Sequence, residues 1–282
     1  MLPDSNVVFF GCVGKDKYSE ILDKANKEAG LATRYLYDAE QPTGRCGVII
    51  TGHNRSMCTD LAAANHYKIE HLKQSENWEI VRGSSVYFVG GYHLTVSPPA
   101  AMALAEEAAR ENKVRAYLIP GKGQEAFMGS PPSQIYALSL SAPFIPQFFK
   151  DPLDQTAPYW DYVVGNETEA MSYADSHELK THDIPTIARH LANLPKENSK
   201  RKRVAIITQG TEPTIAAVQG EDKARTYPVH AIGQSEITDT TGAGDAFAGG
   251  FMAGVVKGEE LEKCIDRGHW LAALSLRELG PS

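Results

Sequence analysis

The sequence has few features that would point to a membrane, an export route or a metal centre. It contains no run of eighteen apolar residues, and its first five residues (MLPDS) do not resemble a signal peptide. It has 4 cysteines, and no two of them stand in a paired metal-binding spacing; they are Cys12, Cys46, Cys58 and Cys264. We therefore expect reduced thiols and an intracellular protein.

The sequence also contains fewer basic than acidic residues. The 28 Lys and Arg residues are outnumbered by 35 Asp and Glu residues, which gives a net charge of −7 and argues against nucleic acid or an anionic membrane as the main partner. We interpret the basic run at 200–203 (KRKR) as a solvated loop before a strand, with a nuclear address as the less favoured alternative. The expected location is the cytoplasm, and the basic run leaves the nucleus as a second option.

Two common nucleotide-binding fingerprints are absent. The spacing from Gly242 to Gly249 is not G-x-G-x-x-G, and this segment lies near the C-terminus instead of opening a first βαβ unit. Residues 11–16 (GCVGKD) have too few residues between their glycines for a P-loop, and no Ser or Thr follows Lys15. Neither a dinucleotide fold nor a P-loop fold is supported.

The pattern along the chain favours one α/β domain over residues 1–282, with a mostly parallel sheet flanked by helices. Strands are predicted at 6–10, 47–51, 85–89, 136–140, 162–164, 203–208 and 227–232. Helices are predicted at 17–29, 60–72, 99–112, 167–176, 184–194, 245–256 and 259–279. The aromatic, β-rich segment at about 31–55 is predicted to be a partial lid. Residues 115–135 follow neither period and are predicted to be a functional or disordered insertion.

The most informative segment is residues 239–251 (DTTGAGDAFAGGF). Gly242 and Gly244 allow a tight turn, and the apolar run after them predicts a buried helix whose N-terminal N–H groups would attract an anion. Asp245 has two interpretations. It is either a helix N-cap or a base that accepts a proton from a hydroxyl during phosphoryl transfer.

Further segments occur in a recognisable order over nearly the whole chain apart from 115–135. They are GCVGKDKYSEIL (11–22), QPTGRCGVIITGHNRSM (41–57), LAAANHYKIEHL (61–72), LTVSP (94–98), SAPFIPQFFK (141–150), GNETEA (165–170), TQG (208–210) and RGHWLAA (267–273). Together with residues 239–251, they resemble the ribokinase/PfkB carbohydrate kinase family and, within it, the branch that phosphorylates adenosine. The resemblance implies a ribokinase-like fold and transfer of phosphate from Mg²⁺-bound ATP to the 5′-hydroxyl of adenosine.

The resemblance also implies roles for single residues around the phosphates. Asp245 would be the general base, and the N–H groups of Gly242, Ala243 and Gly244 would form an anion hole. Arg55 would clamp phosphate oxygens, whereas an isolated arginine would otherwise be a surface residue that pairs with an acid.

The Mg²⁺ and ATP sites are implied in the same way. Asn166 and Glu169 would order Mg²⁺ through its waters, with Glu169 as the metal-site carboxylate, although this spacing also predicts a capping box. Thr208 and Gly210 would contact ATP, and His269 would lie beside its adenine, whereas a lone histidine is more often a packing residue.

The expected nucleoside pocket consists of Cys46, Met57, Leu61, His93 and Phe144, each of which would by default be a core residue. His93 departs from the phenylalanine that the family usually has, and Ser139 replaces its usual asparagine.

The family's glycine-rich sugar-binding segment is missing from this sequence, so we expect a weak kinase and, if the chain is complete, a monomer. The alternatives are a non-catalytic nucleotide-binding fragment and another sugar or nucleoside kinase of the same fold.

Overall fold

The computed structural model describes residues 7–51, 54–110, 134–278 and 280. The predicted insertion lies outside these ranges except for its last two residues, and Ile135 already begins a strand. The strands are β1 Val8–Gly14, β2 Ala32–Asp38, β3 Arg45–Thr51, β4 Asn54–Asp60, β5 Val86–Gly90, β6 Ile135–Ser139, β7 Tyr162–Asn166, β8 Val204–Gln209, β9 Glu212–Val218 and β10 Arg225–Tyr227. The helices are α1 Lys17–Glu28, α2 Ile69–Leu72, α3 Ser75–Gly83, α4 His93–Val96, α5 Pro98–Ala109, α6 Phe144–Phe148, α7 Lys150–Thr156, α8 Glu167–Ser176, α9 Ile184–Ala192, α10 Ala243–Val256 and α11 Leu261–Ser275, with 3₁₀ turns at Ala62–His66, Ala157–Tyr159 and Gln234–Glu236.

The main sheet has six strands in the order β10-β9-β8-β7-β6-β5. Strands β5 to β8 are parallel, whereas β9 and β10 extend the sheet in antiparallel fashion. Apolar residues cover both faces: one cluster includes Leu138 and Ile187, and the other joins Ile206 to Phe247 and Phe251 of α10. The carboxyl ends of the parallel strands therefore meet at one edge, where open α/β sheets usually bind ligands.

Two smaller sheets stand apart from this one. β1 and β2 pair in parallel through the crossover helix α1, and β3 and β4 form an antiparallel hairpin in which Val48 lies opposite Met57. The hairpin is the only part of the predicted 31–55 lid that has lid-like geometry among the described residues. The assignment of residues 32–38 to the lid is wrong, because this segment is the parallel partner of β1.

Other sequence predictions also need correction. The single helix predicted at 60–72 is two short turns, because Tyr67 and Lys68 have extended backbones. The strand predicted at 227–232 is also wrong: β10 ends at Tyr227, and Pro228 has no amide proton to continue the ladder. The strand β9 was not predicted.

The basic run is not a solvated loop throughout, so that interpretation is wrong. Arg203 is fully buried, and its guanidinium donates to five backbone carbonyls, those of Ala157, Trp160, Leu191, Leu194 and Pro195. Arg201 donates to the buried carboxylate of Asp161 at 3.2 Å. These two arginines join the start of β8 to the chain segments beside it.

Candidate active site

Asp245 is the third residue of α10, and it is not the helix cap. The cap position is occupied by Gly242, whose φ of 81° lies in the left-handed region that glycine adopts without strain. Within the described residues, the Asp245 carboxylate makes no hydrogen bond and no salt bridge. The N-cap interpretation is therefore wrong, and this carboxylate has no structural task that the described contacts reveal.

The backbone before Asp245 forms an open cradle of N–H groups. Within the described part of the chain, the N–H groups of Gly242, Gly244 and Asp245 have no partner, whereas Ala243 donates weakly to the Thr240 carbonyl at 3.4 Å. A Cβ added to Gly244 would meet nothing within 4 Å. The cradle therefore faces open space, as an anion site at a helix N-terminus requires.

Asp239 fixes the turn that carries this cradle. Its buried carboxylate accepts hydrogen bonds from the Thr241 N–H at 2.9 Å, the Thr241 hydroxyl at 2.8 Å and the Gly280 N–H at 3.0 Å. The turn is thereby tied to the segment that follows α11, which limits its freedom to collapse into the cradle.

Asn166 and Glu169 form the predicted capping box at the start of α8. Burial, partly offset by the Asn166 N–H and reinforced by the negative charges of Glu167 and Asp245, raises the pKa of Glu169 to about 7. The two predicted carboxylates therefore lie within electrostatic range of each other.

The donor set fits Mg²⁺ better than a transition metal. Among the described residues, no three His, Cys, Asp or Glu side chains are grouped as metal ligands. A single buried carboxylate beside a phosphate cradle suits Mg²⁺, which keeps most of its waters and takes its other ligands from substrate phosphates.

Tyr92 is a site residue that the sequence predictions missed. Burial first, and then the negative charges of Glu169 and Asp245, raise its pKa. An aromatic residue directly after the Gly90-Gly91 pair at the end of β5 was the available signal.

The predicted nucleoside residues come from both sides of this site. Cys46 and Met57 lie on one face of the β3–β4 hairpin, and Leu61 follows its second strand. Phe144 lies at the start of α6, and its ring contacts the Tyr92 ring edge-on, with a centroid distance of 5.7 Å. The structure thus brings Phe144 into contact with Tyr92.

His93 lies deeper than the others. Its ring packs edge-on against Tyr67 at 5.2 Å, and burial lowers its pKa to about 4. It is therefore a neutral imidazole at physiological pH. Arg55 lies in β4 opposite Ile50, and its role as a phosphate clamp stays a prediction.

The base of the hairpin is anchored by Asp16. Its carboxylate accepts from the Thr43 N–H and the Thr43 hydroxyl, both at 2.8 Å, and it also caps α1. These bonds, led by the Thr43 N–H, lower the pKa of Asp16 to about 2. The Asp16 carboxylate therefore stays ionised throughout the physiological pH range, and its bonds to Thr43 fix the point from which the β3–β4 hairpin extends.

The predicted ATP residues lie around β8, β9 and α11. Thr208 is next to last in β8, and Gly210 follows with a φ of 59°. His269 is buried, and its Nε2 lies 2.8 Å from the Thr214 hydroxyl. It borders a cavity of about 430 Å³ that Tyr227 and Lys263 also line.

The larger described cavity, of about 610 Å³, lies between α7 and α8 and is not lined by Asp245.

No helix in the described ranges is both long and apolar enough to cross a bilayer.

Known proteins resemble this chain over almost all of its length. It is 42% identical over 282 residues to the adenosine kinase of Schizosaccharomyces pombe, covering 99% of this chain and 76% of that protein. It is 42% identical over 284 residues to the adenosine kinase of Saccharomyces cerevisiae, covering 100% and 75% of the two chains. The crystal structure of Anopheles gambiae adenosine kinase in complex with P1,P4-di(adenosine-5) tetraphosphate superposes with a TM-score of 0.86 at 39% identity, covering 95% of this chain and 73% of that one.

A family model confirms the relationship that the glycine turn and the ordered segments predicted. The model of the pfkB family carbohydrate kinases matches residues 4–130 and 123–282. The helix-flanked, mostly parallel sheet agrees with the ribokinase-like fold expected from the sequence. The chain therefore belongs to the pfkB family of carbohydrate kinases.

Proposed function

We infer that this chain is an adenosine kinase, which transfers a phosphoryl group from ATP to the 5′-hydroxyl of adenosine and forms ADP and AMP. The observation that carries this inference is the Asp245 carboxylate, which has no bonding partner among the described residues and stands beside a cradle of unpaired N–H groups. Relatives named adenosine kinases, at 42% identity over nearly the whole chain, support adenosine over another sugar or nucleoside as the acceptor.

Asp245 accepts the proton of the attacking 5′-hydroxyl. Although Asp245 is accessible to solvent, desolvation by the surrounding protein raises the pKa of its carboxyl, which strengthens the carboxylate as a proton acceptor without the help of a neighbouring base. The N–H groups of Gly242 and Gly244, with Ala243 between them, hold the oxygens of the moving phosphoryl group. Arg55 clamps the same oxygens.

Asn166 and Glu169 are the residues that would hold Mg²⁺. When bound, the ion neutralises charge on the ATP phosphates. Thr208 and Gly210 position ATP at the end of β8, and His269 lies beside the adenine of ATP.

The nucleoside lies between the hairpin and the ends of β5 and β6. Cys46, Met57 and Leu61 cover it from the hairpin side, and Phe144 and His93 meet it from the sheet side. Because the imidazole of His93 is neutral, it adds a hydrogen-bonding edge without adding charge.

The test is ADP release by the purified chain with Mg²⁺ and ATP, measured with and without adenosine, and with inosine, ribose and fructose as competing acceptors. We expect release that depends on adenosine and the appearance of AMP. Preferred turnover of ribose, fructose or inosine would replace this function with another kinase activity of the same fold. ATP binding without turnover of any acceptor would support a nucleotide-binding protein. A turnover number on the order of 1–100 s⁻¹ would overturn the expectation of weak catalysis and leave the kinase function standing.

A further inference from the structure

The β3–β4 hairpin has little support along its own length. All seven residues of β3 are exposed, and among the described strands β3 pairs only with β4. A hairpin of two strands is marginally stable by itself, so its direction depends on the contacts at its base. This base consists of residues 41–44, which lead into β3, and Leu61, which follows β4.

Thr43 is the centre of the hairpin base. Its side chain is buried, and its hydroxyl donates to Asp16 Oδ1 at 2.8 Å and accepts from the Gly14 N–H at 3.1 Å. Its own N–H donates to Asp16 Oδ2 at 2.8 Å. A Cβ on Gly14 would stand 2.6 Å from the Thr43 nitrogen, so the two backbones are already in close contact. Thr43 is therefore held between the end of β1 and the start of α1.

The two oxygens of the Asp16 carboxylate have different tasks. Oδ1 accepts from the N–H groups of Tyr18 and Ser19, both at 3.0 Å, and so caps α1 while it also binds the Thr43 hydroxyl. Oδ2 accepts from the Thr43 N–H. An asparagine in this place would keep its oxygen towards the helix N–H groups and turn its amide towards the Thr43 N–H, where two donors would face each other. This substitution therefore separates the helix cap from the hairpin contact.

The start of α1 and the end of β4 also meet the hairpin base. The Arg45 guanidinium, on the first residue of β3, lies over the Tyr18 ring at 5.3 Å from its centroid. A Cβ on Gly44 would stand 2.7 Å from the Leu61 carbonyl oxygen. Both segments of the base are thus in contact with their surroundings, and Asp16 joins them to α1.

The residues beside this base are the ones assigned to the nucleoside. Cys46 is the third residue after Thr43, and the Leu61 backbone approaches Gly44. The residues assigned to ATP belong instead to β8, the turn after it and α11. A change in the direction of the hairpin therefore alters the nucleoside side of the site and leaves the ATP side in place.

We propose that Asp16 is a positioning residue for the nucleoside, because through Thr43 it sets the direction of the β3–β4 hairpin and thereby the affinity for adenosine. The proposal rests on the proposed function, since it takes this hairpin as one wall of the adenosine site. Asp16 acts through Thr43 and is not a catalytic residue.

The test measures binding of adenosine and of ATP by calorimetry, and adenosine-dependent ADP release, for the wild type, Asp16→Asn and Thr43→Val. Asparagine removes the bond to the Thr43 N–H, and valine removes the bond to the Thr43 hydroxyl. Either change lets the hairpin take other directions, and the apparent affinity for adenosine falls with the fraction of molecules that keep the right one. Adenosine binding should weaken by roughly three- to thirtyfold. Turnover at saturating adenosine should change much less, since bound adenosine restores the hairpin, and ATP affinity should stay unchanged.

Two further variants are the controls. Thr43→Ser keeps the hydroxyl and should bind adenosine as the wild type does. Asp23→Asn alters another carboxylate of α1, whose described bonds go to β2, where it accepts from the Tyr37 hydroxyl at 2.7 Å. It should leave adenosine affinity unchanged.

Three results would overturn the proposal. Wild-type adenosine affinity in both Asp16→Asn and Thr43→Val, with ADP release continuing, would remove the positioning role and leave the kinase function intact. Equal losses of adenosine and ATP affinity would assign Asp16 to general folding instead. If the wild type bound no adenosine, the positioning role and the proposed function would both fall.

Discussion

Asn166 and Glu169 hold each other through three hydrogen bonds at the start of α8. The Asn166 N–H donates to Glu169 Oε2 at 3.0 Å, the Asn166 amide donates to Oε1 at 3.0 Å, and the Glu169 N–H donates to Asn166 Oδ1 at 2.9 Å. The carboxylate is thus ordered before any metal binds, although it is buried in a position that disfavours its charge. The same two residues can therefore both cap α8 and bind a metal ion.

This burial predicts a pH dependence of stability that can be measured without metal. The pKa of Glu169 is about 7 in the folded protein, above the usual 4.5, so the folded state binds this proton more tightly than the unfolded chain. The contribution is therefore favourable below about pH 4.5, declines as the pH rises towards 7, and is absent above it. The expected loss between pH 5 and pH 8 is about 2–3 kcal/mol.

The predicted loss of stability can be measured by urea unfolding of the wild type and of Glu169→Gln at pH 5 and pH 8. Glutamine preserves a capping box and removes the titration, so the stability of the variant should lack this loss. Parallel pH profiles for the two proteins would refute the assignment.

The contact between α10 and α11 predicts a second effect, on stability alone. A Cβ on Gly250 would stand 2.4 Å from the Arg267 carbonyl oxygen, which belongs to the backbone of α11 and cannot easily move. Gly250→Ala should therefore destabilise the protein by about 1–3 kcal/mol in denaturant unfolding.

The neighbouring glycine is the control for this variant. A Cβ on Gly249 would meet only the Leu271 side chain, at 3.9 Å. Gly249→Ala should be neutral or should stabilise by up to about 1 kcal/mol, because alanine favours a helix. Similar effects at both positions would show that the close helix contact does not limit stability.

Buried Arg203 should be the most sensitive position in the basic run. Arg203→Met leaves five carbonyls without their donor, and we expect a loss of about 3–5 kcal/mol in the free energy of unfolding. Lys202→Met, at the exposed neighbouring position, should change it by no more than about 0.5 kcal/mol. Equal stabilities of the two variants would contradict a structural role for Arg203.

Sequence patterns located the long elements well, because their periodicity and their caps agree. The helix predicted at 167–176 has those bounds in the structure, and its start is marked by the Asn166 cap with Glu169 three residues later. The helix after the glycine turn was also found, since an uninterrupted apolar run follows Gly244.

Short elements could not be located in this way, since tertiary contacts decide them. The 3₁₀ turn at Ala62–His66 is held from outside by the Ala63 N–H, which donates to the Pro42 carbonyl. β9 contains Pro213 near its start, which disguised it as a loop. Arg203 was wrongly predicted to be solvated, because a run of basic residues does not reveal which of its side chains donate hydrogen bonds to buried backbone carbonyls. Tyr92 was missed for a related reason, since Glu169 and Asp245, whose charges add to the effect of burial on its pKa, are distant from it in sequence.

The central claim is that Asp245 is the base of a phosphoryl transfer to adenosine, and Asp245→Asn tests it most directly. Adenosine-dependent ADP release should fall by roughly 10²- to 10⁴-fold, while ATP affinity and unfolding stay near the wild type because the carboxylate makes no bond that the described residues show. Asp151→Asn, which alters another exposed carboxylate in the first turn of a helix, should leave the rate unchanged. Wild-type turnover by a folded Asp245→Asn protein would contradict the account.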